Sequence, residues 1–83
     1  MNELVITGTG EGADGSIAGL ARLLVSFERS LSAEPPDRVL LADDSDAALA
    51  AALVATKLLI AVRSEADAAT STNGRLIAQL AGR

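Results

Sequence analysis

The stretch from Arg38 to Val62, RVLLADDSDAALAAALVATKLLIAV, decides the predicted fold. Its first part, Arg38 to Ala42, is a short apolar run that leads into a cluster of acidic residues, and Ala47 to Lys57 is rich in alanine. Leu58 to Val62 is a second apolar run without alternating polar residues. Unbroken apolar runs of this length are typical of strands in a parallel sheet that is covered on both faces. The stretch therefore predicts a strand, a helix and a second strand.

The segments on either side continue this alternation. Glu3 to Thr7 is predicted to form a first strand, and Ser16 is predicted to cap a helix from Ile17 to Ser32 because its hydroxyl can accept from free N–H groups of the first turn. Two prolines end that helix, and a last helix is predicted over Asn73 to Leu80. The apolar residues predicted to face inward on the two outer helices are Ile17, Leu20, Leu24, Phe27, Leu31, Leu76, Ile77 and Leu80.

This order, β-α-β-α-β-α, predicts an α/β fold with a short parallel sheet of about three strands. We expect three layers, with helices on the faces of the sheet, so that the chain corresponds to half of a Rossmann-like domain. Residues 1–83 are predicted to form one small domain.

The composition predicts a small core and self-association. Hydrophobic residues make up 49% of the 83 residues, but there is one Phe and no Trp or Tyr. A chain of this length buries only about 60% of the surface that its unfolded form exposes. An apolar surplus on so small a domain predicts a homo-oligomer, expected as a twofold dimer that buries Leu and Val from the Ile17 to Ser32 helix or a sheet edge.

The charge and the missing residue types exclude several classes of function. The net charge is −4 and Lys and Arg are not clustered, so we expect no nucleic-acid partner. With no Cys and no His, disulfides and histidine catalysis are excluded, and no metal site or cofactor is predicted. The longest apolar run, Leu49 to Val62, contains Lys57 and is too short to span a bilayer. The chain starts without a basic signal-peptide region, so we expect a soluble, cytoplasmic protein.

A glycine-rich run, GTGEGADGS from Gly8 to Ser16, follows the first predicted strand. Its glycine spacing partly fits dinucleotide and phosphate-binding loops, although the Walker lysine is missing. A bound phosphate would also meet the carboxylates of Glu11 and Asp14. We therefore favour a mobile connection over a cofactor site.

The densest charge in the sequence, Asp43-Asp44-Ser45-Asp46, follows the second predicted strand. Ligands of open parallel sheets bind beyond the carboxyl ends of the strands, so this is the candidate functional site. Asp and Ser are also preferred caps for the helix that begins near Asp46. Capping accounts for Ser45 and for one or two of the acids, and the alternatives stay open.

The segment formed by Pro36, Asp37, Val39 to Asp44 and Ala48 to Val62 resembles the core of the non-hydrolysing UDP-N-acetylglucosamine 2-epimerase family. In that family a PD-x-VLV strand leads into a Gly-Asp-Thr turn, an LAAALAA helix and an I-P-V strand. Gly15 to Leu31 and Asn73 to Ala81 are similar to two further helices of the family. The resemblance implies a Rossmann-like fold, nucleotide-sugar isomerase chemistry and a catalytic role for Asp44, which aligns with the aspartate of the Gly-Asp-Thr turn.

The chain also differs from that family in ways that predict a loss of catalysis. Asp43 replaces the glycine before the aspartate, and Ala66 stands where the family has a glutamate. The family enzymes are several times longer and hold their nucleotide between two domains. Two functions follow: a truncated or degenerate epimerase relative that is not catalytic alone and works with a larger epimerase-like subunit, or a non-enzymatic homo-oligomeric assembly or protein-interaction module.

Overall fold

The computed structural model describes residues 2–7, 16–65 and 71–81, so the glycine-rich run and the position of Ala66 lie outside the described residues. Within the part of the chain that it describes, no helix combines the length and hydropathy needed to cross a membrane. The elements are β1 (Glu3–Ile6), α1 (Ile17–Ala33), β2 (Arg38–Leu41), α2 (Asp46–Lys57), β3 (Ala61–Ser64) and α3 (Thr72–Ala81). The strands are parallel in the order β1-β2-β3, which confirms the predicted α/β class and element order.

The helices form one layer, which corrects the expected three-layer arrangement. Helix α2 packs on all three strands, and α1 and α3 pack on either side of α2. The cause lies in the strand order: both crossovers move in the same direction across the sheet, and right-handed crossovers in one direction put their helices on one face. The described part of the fold therefore has two layers, a sheet and a helix layer.

The sheet face that points away from the helices is partly exposed. Side chains alternate along a strand, so Val39 and Leu41 point into the helix layer, where both are fully buried, whereas Leu40 points the other way and is half-buried. Beside Leu40 on that face, Val5 is 51% exposed. The residues of this bare sheet face are Glu3, Val5, Arg38, Leu40, Ala61 and Arg63, and the Arg38 guanidinium lies 2.8 Å from the Glu3 carboxylate.

Helix α2 forms the centre of the core because its side chains are small. It contacts the sheet on one side and both other helices on its flanks, so nearly every direction around its axis is occupied. Alanine lets neighbouring backbones approach closely and also has the highest helix propensity. The fully buried alanines are Ala48, Ala50, Ala51, Ala52 and Ala55.

Two residues predicted to face the core are exposed instead. Ile17, in the first turn of α1, is 80% exposed, and Leu76 on α3 is 46% exposed. The other residues predicted to face inward pack against the core, and Leu31 and Ile77 are fully buried. Both exceptions lie on α1 and α3, the two helices on either side of α2. These helices have fewer packing neighbours than α2, so a narrower apolar face is enough for them.

The third strand begins later than predicted, at Ala61 instead of Leu58, because Leu58 and Leu59 end α2. The N–H of Leu59 donates to the Thr56 carbonyl at 3.1 Å, and the N–H of Ile60 donates to the Ala55 carbonyl at 2.8 Å. These two bonds form a Schellman motif, in which the position of Leu59 is normally glycine because its φ is positive. The φ of Leu59 is 63°, a backbone conformation that costs a branched side chain about 1–2 kcal/mol.

Candidate functional site

The acidic cluster lies where expected, beyond the carboxyl end of the central strand. Strand β2 ends at Leu41, and the backbone ladder continues through the Ala42 N–H to the Ile6 carbonyl and through the Glu65 N–H to the Leu41 carbonyl. Asp43 to Asp46 then lead directly into α2 and are all half-buried. The cluster is thus held between the sheet edge and the start of α2.

Asp43 and Ser45 form the N-terminal cap of α2. The Ser45 hydroxyl accepts from the Ala48 N–H at 3.1 Å, as predicted for a cap residue. The same hydroxyl donates to Asp43 Oδ1 at 2.6 Å, and the Ser45 N–H donates to that oxygen at 3.1 Å. Asp43 therefore orients the cap and lies close to the helix N-terminus, whose dipole stabilises its negative charge.

Asp44 links the starts of two helices. Its Oδ2 accepts from the Ser71 hydroxyl at 2.6 Å. That hydroxyl in turn accepts from the Gly74 N–H at 2.9 Å, which makes Ser71 the cap of α3. A short hydrogen bond to an ionised carboxylate is about twice as strong as one between neutral groups. The carboxylate of Asp44 thus holds the α3 cap against the α2 cap.

Asn73 strengthens the same link from the first turn of α3. Its Nδ2 donates to the backbone carbonyl of Asp44 at 3.1 Å and to Asp46 Oδ1 at 2.8 Å. Both amide protons of the side chain are therefore directed at the α2 cap. Three side chains that are distant in sequence, Asp44, Ser71 and Asn73, meet in a network of part-buried hydrogen bonds.

This arrangement gives the Asp44 carboxylate a structural task. Its Oδ2 accepts from the Ser71 hydroxyl at 2.6 Å, and the other side chains of the network are the Asn73 amide and the Asp46 carboxylate. Anions are disfavoured there because the carboxylates of Asp43, Asp44 and Asp46 surround the helix N-terminus that would bind them. Among residues 2–7, 16–65 and 71–81, no group of three or more acidic side chains is placed to hold a metal ion.

The sequence identifies Asp44 and the Ser45 cap but not their partners. Ser71 and Asn73 precede or open the last predicted helix, and Ser, Thr and Asn in series are typical of a helix start. Their pairing with Asp44 spans 27 and 29 residues, and local patterns do not encode contacts at that separation. Ser64 and Asp67 have the spacing of a capping box, which predicts a short helical turn. Ser64 is instead the last residue of β3, and Asp67 lies outside the described residues.

The chain has been compared with protein-family models, with curated proteins and with solved structures. None of the three comparisons finds a match. What the structure shows of the predicted relationship is the β-α-β-α-β-α unit with its three-stranded parallel sheet.

Proposed function

We propose that this chain is a non-catalytic, homo-oligomeric assembly module, which acts by binding a second copy of itself. The observation that carries the proposal is the hydrogen bonding of Asp44. The carboxylate that the epimerase resemblance nominates for catalysis is engaged with Ser71 and holds two helix starts together. That structural task accounts for Asp44 without a catalytic role.

Unburied apolar surface supports association as the function. Several large apolar side chains are at least half exposed. They include Val5 in β1, Ile17 in α1 and Leu59 just after α2. Binding a second copy is the simplest way for a small chain to cover such surface, because most soluble oligomers are symmetric homo-oligomers.

Descent from the epimerase family is a second proposal, which concerns origin and partner. It is supported by the position of Asp44, which follows β2 and directly precedes the α2 cap, as the Gly-Asp-Thr turn of the family implies. In that case a larger epimerase-like subunit would supply the remaining catalytic groups and the nucleotide site. The chain alone would still be inactive, because one carboxylate cannot both remove and return the proton at carbon 2 of the sugar.

The first prediction is that the purified chain does not exchange the carbon 2 proton of UDP-N-acetylglucosamine in heavy water. Losing one acid or base typically lowers the rate about 10² to 10⁴-fold. This chain has no histidine, and Ala66 stands at the position of the family's glutamate. Proton NMR follows the exchange, with an active epimerase as positive control. Deuterium uptake that disappears in the Asp44→Asn variant would overturn the proposal.

The same variant tests the structural task of Asp44. Asparagine keeps an oxygen that accepts from Ser71, so Asp44→Asn is expected to lower the free energy of unfolding by no more than about 1 kcal/mol. Ser71→Ala removes both the link and the α3 cap and is expected to lower it by about 1–2 kcal/mol. Chemical denaturation of both variants measures the difference. A larger loss in Asp44→Asn than in Ser71→Ala would contradict the assignment.

A further inference from the structure

Leu59 combines two features that are unfavourable for a leucine, although its backbone conformation closes α2. Its side chain is 92% exposed, and its φ of 63° belongs to the left-handed region that disfavours a branched residue. Glycine or asparagine would close α2 with the same Schellman bonds and without this strain. Strained residues of this kind most often occur at binding or functional sites, because selection for function outweighs their cost.

An apolar groove lies between α1 and the last turns of α2, and one of its lining residues directly precedes Leu59 in the chain. Its volume is about 290 Å³, which is enough to receive a protruding aliphatic side chain. Leu58, the neighbour of Leu59, forms part of its wall. The apolar residues that line the groove are Leu24, Val25, Leu53, Val54 and Leu58.

We infer that the occupant of this groove is Leu59 of a second copy of the chain. The inference rests on the proposed function and names its interface. A protruding side chain close to a groove on the same surface suits a twofold dimer. A twofold axis between Leu59 and the groove inserts each Leu59 into the partner's groove. The same contact is made twice, once by the Leu59 of each copy, so the surface is self-complementary.

The charges at the groove fit the same partner. Glu28 projects from the α1 wall and Lys57 from the α2 wall. Lys57 is two residues before Leu59, so inserting the partner's Leu59 into the groove brings the partner's Lys57 to the groove rim near Glu28. Opposite charges at an interface rim favour the correct pairing and speed association. A partner surface with charges of one sign only would be attracted by one of these two side chains and repelled by the other.

Replacing Leu59 is expected to weaken the dimer without harming the fold. Leu59→Asn keeps the left-handed backbone but removes the anchor, and symmetry removes it twice, so the dimer Kd should rise at least about thirtyfold. Leu59→Gly should weaken the dimer similarly and raise the Tm by roughly 2–8 °C, measured at dilution where both chains are monomeric. Sedimentation velocity gives the Kd and differential scanning calorimetry the Tm.

Two matched controls separate this surface from the rest of the chain. Leu76→Asn makes the same chemical change at an exposed leucine of α3, and Val5→Lys charges the bare sheet face. Both are expected to dimerise with the Kd of the wild type. If Leu59→Asn also dimerises like the wild type, the inferred interface is wrong, while the proposed self-association stands. If Val5→Lys loses the dimer, the interface lies on the sheet face instead. A wild-type chain that stays monomeric contradicts both.

A charge exchange tests the twofold pairing itself. Glu28→Lys and Lys57→Glu each place like charges at both rim contacts, so each variant alone should dimerise about fivefold to tenfold more weakly. Mixing the two variants should restore the affinity of the wild type, because every contact in the mixed dimer then joins opposite charges. A mixture that associates no better than its components would overturn the inferred pairing.

Discussion

Leu41→Ala is expected to remove a large share of the stability of the folded chain. Leu41 is 0% exposed and ends the central strand, between Ile6 and Ser64 on its neighbours. Removing a buried leucine typically costs about 2–5 kcal/mol, since the cavity only partly collapses. An 83-residue chain has a total stability of about 4–12 kcal/mol at 0.05–0.15 kcal/mol per residue. The expected loss is therefore between a sixth of the total and all of it.

The measurement is a thermal melt followed by far-ultraviolet circular dichroism, in which the Tm should fall by about 10 °C or more. Leu76→Ala is the matched control because it makes the same change at a side chain that is 46% exposed. That control is expected to shift the free energy of unfolding by less than about 1 kcal/mol. Equal losses in the two variants would show that Leu41 does not lie in the core.

Ala51→Leu is expected to disrupt the helix layer by overpacking. Ala51 is fully buried in α2, which is enclosed by the sheet, α1 and α3. Three extra carbon atoms must displace a neighbouring helix or the sheet, and such insertions typically cost about 1–3 kcal/mol and sometimes more. The resulting loosened helices should also expose apolar surface to a fluorescent dye.

Chemical denaturation measures the loss of stability in Ala51→Leu. The control is Ala21→Leu on the exposed side of α1, where the added side chain meets solvent and both residues are good helix formers. We expect that variant to stay within about 0.5 kcal/mol of the wild type. A stable, well-packed Ala51→Leu protein would mean that α2 is not enclosed on its flanks.

The sequence predicts the elements of this fold well because they depend on local patterns. The apolar run of β2, the proline pair after α1 and the Ser45 cap each act within a few residues, and the corresponding elements lie within about two residues of their predicted bounds. The predicted start of β3 is wrong because the apolar run from Leu58 continues across the helix end. A leucine occupies the position where glycine would have marked that end.

The layering and the site depend on contacts that local patterns do not specify. The same elements in the strand order β2-β1-β3 would have α1 and α2 on opposite faces of the sheet, so the strand order decides that these two helices share a face. Likewise, the residue types around Asp44 predict a helix cap, and the family resemblance implies a catalytic role for its carboxylate. The hydrogen bond from Ser71 to Asp44 joins residues that are adjacent only after folding, so local patterns do not predict it.

Sedimentation of the purified wild-type chain over a concentration series most directly tests whether the protein works by self-association. We predict a particle of twice the 8.4 kDa chain mass at micromolar concentrations, which dissociates reversibly on dilution. A single species of 8.4 kDa that persists to high micromolar concentration would contradict the proposed function.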